Sequence, residues 1–89
     1  MIRKERYFLN KECFCEDIDD SLFILHSKTG QYHELNGSGK YILNILDSEG
    51  LSIDEILNVT NHGEFKLKKE DVVNFLGQLL KREIICLKK

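Results

Sequence analysis

The sequence predicts an α+β fold in which a three-stranded antiparallel sheet precedes three helices, in the order βββααα. Three observations predict it. Short apolar segments separated by polar turns fill residues 12–35. After Asn36 the apolar spacing changes from alternation to a helical period. The chain of 89 residues is long enough for one compact domain with a modest core. One domain over 1–89 is expected, with its core at about 12–87.

Glu12–Glu16 reads as the first strand, and Asp17–Asp20 as a polar turn. Ser21–His26, "SLFILH", is short and rich in Phe, Ile and Leu, and reads as a well-buried second strand. "SKTG", Ser27–Gly30, is a hairpin connection with a glycine available for positive φ. Gln31–Leu35 is the third strand. Short turns between successive strands imply a meander.

Tyr41, Ile42, Ile45 and Leu46 then follow helical spacing, with Asn36 or Ser38 available as a cap. Asp47–Gly50 ends this first helix. The second helix opens on a capping box, Ser52 with Glu55 three residues on, and Leu51 and Ile56 stand at hydrophobic-staple positions. Asn61-His62-Gly63 stops it, with Gly63 suited to the left-handed position after a helix. Glu64–Leu67 is a short extended link. The third helix runs from about Lys69 to Arg82, with acids in its first turn and bases in its last, as the helix dipole favours. Its apolar set, Val72, Val73, Phe75, Leu76, Leu79 and Leu80, is wider than one core stripe. Ile84–Leu87 is an apolar tail of extended character.

Composition excludes several classes. The net charge of −2 gives no general attraction to nucleic acid. The N-terminus has no apolar run of signal-peptide length, and no stretch approaches the roughly 20 apolar residues of a membrane span. A cytoplasmic protein is expected. Three cysteines, Cys13, Cys15 and Cys86, are an odd number without paired CxxC spacing, so neither a disulfide framework nor a zinc site is expected. No cofactor is expected.

The stretch from Gln31 to Leu46 holds the residues that invite a chemical reading. "GSG" at Gly37–Gly39 lacks the GxGxxG spacing of a dinucleotide fold, and Gly39-Lys40 is followed by Tyr41 where a P-loop has Ser or Thr. His26, His33 and His62 are scattered, and no HExxH or GxSxG occurs. Cys15 and His33 are able to meet across the sheet, but no specific spacing supports a pair. An enzyme is therefore not expected.

A binding role has better physical grounds. An unclosed three-stranded sheet leaves two edges with unpaired main-chain groups. The third strand pairs with the second and keeps one edge free. The third helix carries surplus apolar residues. Edge and helix together make a groove for an extended peptide. The alternative is that Val73 and Leu80 pack on another helix or a second copy, and the edge would permit dimerisation. A second binding class is nucleic acid. Three helices and a β-hairpin are the parts of a winged helix-turn-helix, and Lys66, Lys68, Lys69, Lys81 and Arg82 cluster near the third helix. Glu70 and Asp71 stand where phosphates would lie.

Three motifs in order carry a family resemblance. "SLFILHSKTGQYHELNGSGKYI" (Ser21–Ile42), "LDSEGLSIDEIL" (Leu46–Leu57) and "EDVVNFLGQLLKREII" (Glu70–Ile85) resemble successive motifs of the PqqD-like proteins. Their domain is also called the recognition element for precursors of ribosomally made, modified peptides (RRE). Glu83 departs from the pattern, which has glycine near that point. The resemblance implies a winged-helix-like domain without catalysis. It implies binding of a precursor's leader peptide as an added strand on the third strand, with the third helix as the other wall. The leader is then presented to a modifying enzyme, a leader peptidase or a radical SAM enzyme. By matching position, the contacts are Gln31, Tyr32, His33, Glu34 and Leu35 on the strand, and Val73, Leu76, Gln78 and Leu80 on the helix. Stand-alone members of the family serve lasso-peptide maturation, pyrroloquinoline quinone (PQQ) biosynthesis and other radical-enzyme pathways.

Overall fold

A computed structural model describes residues 5–46, 50–62 and 66–88. Among the described residues, eight elements follow in order: β1 Arg6–Leu9, β2 Cys13–Ile18, β3 Ser21–His26, β4 Tyr32–Asn36, α1 Gly37–Ile45, α2 Ile53–Asn61, α3 Lys69–Lys81 and β5 Ile85–Lys88. The expected meander is β2-β3-β4, and the three expected helices follow it. Strand β2 runs two residues beyond Glu16, because Asp19 itself supplies the positive φ (55°) that turns the chain.

Two strands were not expected as a pair. The antiparallel ribbon β1-β5 joins the two ends of the chain, from Arg6 opposite Lys88 to Leu9 opposite Ile85. It is tied to the entry of α2, where Tyr7 and Leu51 exchange main-chain hydrogen bonds of 2.8 and 2.9 Å. The inner face of the meander contributes Leu22 and Ile24 to the core, where Ile42, Leu43, Ile56, Val72, Leu76 and Leu79 from the helices join them. The ribbon adds Tyr7 and Ile85.

The helix ends show which local signals act. Ser52 Oγ accepts from the Glu55 N–H and Glu55 Oε1 accepts from the Ser52 N–H, so the capping box forms in full. Asn36 stands at the N-cap of α1, yet its side chain makes no capping bond; the chain turns on Gly37 instead, at φ 58°. Helix α3 ends in a Schellman motif: Ile84 N–H donates to the Leu79 carbonyl and Glu83 N–H to that of Leu80, both at 3.0 Å. Glu83 adopts φ 60°, the conformation that glycine favours. The expected terminators Asp47–Glu49 and Gly63, and the first half of the Glu64–Leu67 link, lie outside the described residues. Among the described residues, no helix is long and apolar enough to cross a membrane.

Candidate functional site: the β4 edge and the α3 wall

Strand β4 lies at the margin of its sheet, and no described strand lies beyond it. The parity of its main chain follows from the ladder. His26 N–H donates to the Gln31 carbonyl at 2.9 Å, so Gln31 faces β3. Antiparallel pairs alternate between bonded and non-bonded partners. His33 (opposite Ile24) and Leu35 (opposite Leu22) therefore also turn their main-chain groups to β3. Tyr32 and Glu34 turn theirs outward. The other side of the sheet gives the same answer independently. Ser27 N–H donates to the Glu12 carbonyl, which assigns Leu25 and Phe23 to β2 and leaves Ile24 and Leu22 for β4.

Side chains alternate in the same rhythm. Leu35 and His33 lie half-buried on the helix side, and Tyr32 and Glu34 are exposed on the other. Where β4 enters α1, a hollow of about 260 Å³ opens beside Leu35, lined by Gly39, Ile42, Val72 and Phe75, with Asp71 at its rim. Asp71 and Phe75 of α3 line this hollow with Leu35, and Gln78 and Arg82 fall on the same stripe by helical spacing. At the C-terminal end of that stripe, the positive charge of Arg82 acts on His33 in the middle of the strand.

The structure brings together some of the expected contacts and separates others. Tyr32, His33, Glu34 and Leu35 lie on the strand, Gln31 just before it, and Gln78 on the facing stripe. Leu76 is 1% exposed and belongs to the core, so its side chain offers a peptide no surface. Val73 and Leu80 lie roughly 160° around the helix from the Phe75 stripe, on the opposite flank of the buried face. Asp71, Phe75 and Gly39 were not expected as lining residues. Spacing of three and four between Asp71, Phe75 and Gln78 carried the signal, but only knowledge of which flank faces β4 makes it readable.

The groups that invite a catalytic reading have other surroundings. Cys15, Ile24 and His33 form one row across the sheet, with Ile24 between. Two strand spacings put Cys15 and His33 roughly 10 Å apart, too far for a thiol–imidazole pair. Burial pushes the Cys13 thiol up to about 11, with Cys15, Cys86 and Glu12 adding to it, and burial also raises Cys15. Both stay protonated near neutral pH, the form without nucleophilic or metal-binding strength. His26 is buried, and its Nδ1 accepts from the N–H groups of Lys28 and Thr29, which pins the β3–β4 hairpin. His33 Nε2 is buried, with no hydrogen-bond partner among the described residues; burial, then Arg82 and His26, hold the ring below the ordinary histidine range.

Comparison with known proteins shows the family and the fold. The family model described as coenzyme PQQ synthesis protein D (PqqD) matches residues 21–85. Among solved structures, TbiB1 in complex with the TbiA(beta) leader peptide is 27% identical, with TM-score 0.76, over 88% of this chain and 93% of that one. A lasso peptide synthetase B1 complexed with the leader peptide is 18% identical, with TM-score 0.73, over 91% and 98%. The heterocyclase TruD shares the fold over 94% of this chain but only 12% of its own length, at 16% identity and TM-score 0.70. No curated protein matches the chain in sequence.

Proposed function

The chain belongs to the PqqD family, and from that membership we propose that it is a non-catalytic binding protein for the leader of a ribosomally made precursor peptide. The leader adds as a strand to β4, and α3 forms the other wall. The observation that carries this reading is the outward main chain of Tyr32 and Glu34 beside the hollow at Leu35 and Phe75. Main-chain pairing supplies affinity with little regard to sequence, and the flanking side chains supply selectivity. The similarity to TbiB1, whose structure holds a leader peptide, supports the same assignment.

The expected contacts are then redistributed. Tyr32 and Glu34 bond the peptide through their main chain. Leu35, Phe75 and Gln78 line its inner side, and His33 lies beneath it. Val73, on the far flank and 42% exposed, is open to a partner rather than to the peptide, while Leu80 beside it packs half-buried against the core. The bound leader keeps the rest of the precursor within reach of a modifying enzyme, a leader peptidase or a radical SAM enzyme. Lasso-peptide or related ribosomal-peptide biosynthesis is the favoured setting, PQQ biosynthesis the alternative, and the cytoplasm the compartment, since the substrate comes from the ribosome.

Calorimetric titration tests the assignment with the N- and C-terminal halves of a candidate precursor peptide, sought among the genes flanking that of this chain. The N-terminal half should bind and the C-terminal half should not. Equal affinity for both halves would remove leader recognition from the account.

A further inference from the structure

The outer face of the meander, away from the helices, carries an apolar surface that the core does not need. Phe14 is 65% exposed, Tyr32 63% and Leu25 43%. Leu25 stands opposite both Phe14 and Tyr32, so the three form one row across β2, β3 and β4. Phe23 lies on the same face, its ring 5.8 Å from that of Tyr32. Together these residues surround a shallow hollow of about 290 Å³. Next along β4 on this face is Glu34, opposite Phe23. Its carboxylate accepts a 2.7 Å hydrogen bond from Ser21 Oγ, and no cation pairs with it among the described residues.

Tyr32 and Glu34 are also residues whose main chain faces the open edge. An antiparallel strand added there places its own residues directly opposite them, about 5.5 Å away between α-carbons, with side chains on this same outer face. We infer that the outer face reads every second residue of the bound peptide: an aromatic or aliphatic side chain opposite Tyr32, and a lysine or arginine opposite Glu34. Cross-strand pairs of these kinds are the favourable ones. An apolar side chain lies along the Tyr32–Phe23 platform toward the hollow, and a cation meets a carboxylate already oriented by Ser21. The inner-facing residues of the same peptide meet Leu35 and Phe75 instead. Two faces thus impose two different demands on alternating positions. This inference rests on strand addition to β4, the reading proposed above.

The probe is a random library of 12-residue peptides displayed on their messenger RNA and selected on the full chain. Selected peptides that shift the Tyr32 and Glu34 amides should carry Lys or Arg two residues from an aromatic or aliphatic residue. Replacing that cation by Glu should weaken binding about three- to five-fold. Glu34→Lys should reverse the preference and recover the Glu-bearing peptide. Tyr32→Ser should weaken binding up to about ten-fold. Peptides that bind at the β4 amides with no charge preference, and no reversal in Glu34→Lys, would overturn the two-residue code while leaving strand addition standing. Selected peptides that bind without touching those amides would overturn both.

Discussion

A β-carbon built on Gly39 would stand 3.1 Å from the Phe75 ring, so α1 and α3 meet where the hollow beside β4 closes. Leu35 lies 3.7 Å from the same point. Gly39→Ala is therefore a test of the hollow rather than of the fold. Alanine improves helix propensity by about 1 kcal/mol, which offsets the crowding. The ring has to give way into the groove. Melting temperature should move by a few degrees at most, while leader affinity falls several-fold. Unchanged affinity, measured by calorimetry, would take the hollow out of the binding site.

Main-chain parity along β4 separates two proline variants. Glu34→Pro removes an outward N–H and leaves the β3 ladder whole, as an edge strand tolerates. Its melting temperature should stay near that of Glu34→Gln, while leader binding drops about ten-fold, the worth of one hydrogen bond. His33→Pro removes a bond to β3 and should cost fold stability instead. Thermal melts and titration of both variants, with Glu34→Gln as side-chain control, measure the contrast.

Glu83 holds a left-handed conformation at the C′ position of the Schellman motif that closes α3. A side chain there costs about 1–2 kcal/mol, relieved in Glu83→Gly and partly offset by the greater freedom of glycine when unfolded. The substitution should raise stability by up to about 1 kcal/mol, about 4–8 °C in a domain of this size. The main-chain bonds to Leu79 and Leu80, and the Asn10 side chain bonded to the Glu83 carbonyl at 2.8 Å, are retained. A fall in melting temperature would show that the carboxylate has a role of its own.

His33 makes stability depend on pH. Burial above all, then the charges of Arg82 and His26, favour its neutral form in the folded chain. Below the ordinary value of 6.5 the unfolded chain therefore binds more protons than the folded one. Its contribution is full above that pH, falls as the pH drops through it, and levels off once the folded ring is protonated too. Between pH 7 and pH 5, His33→Gln should lose less stability than the parent chain. Parallel melting curves across that range would argue against a desolvated ring.

Local chemistry made most of this fold legible. "SLFILH" gave β3 to the residue, because a short, branched apolar run between polar turns has few alternatives. Ser52 and Glu55 announced α2 by two reciprocal bonds within four residues. Strand β1 was not legible, since its partner β5 lies at the other end of the chain and four residues such as Arg6–Leu9 have no strand signal of their own. The free edge of β4 was readable in the sequence, and the flank of α3 beside it less so. Apolar surplus pointed to Val73, Leu76 and Leu80, but surplus says nothing of direction. Packing buries Leu76, turns Val73 and Leu80 away, and leaves Asp71, Phe75 and Gln78 to face the strand.

Amide hydrogen exchange at β4, followed residue by residue with and without the N-terminal half of a candidate precursor, tests the central claim most directly. Tyr32 and Glu34 should exchange fast in the free chain and slow markedly with peptide, while His33 and Leu35, already bonded to β3, change little. Protection that appears only in α1 and α2, with Tyr32 and Glu34 unaffected, would contradict strand addition at this edge.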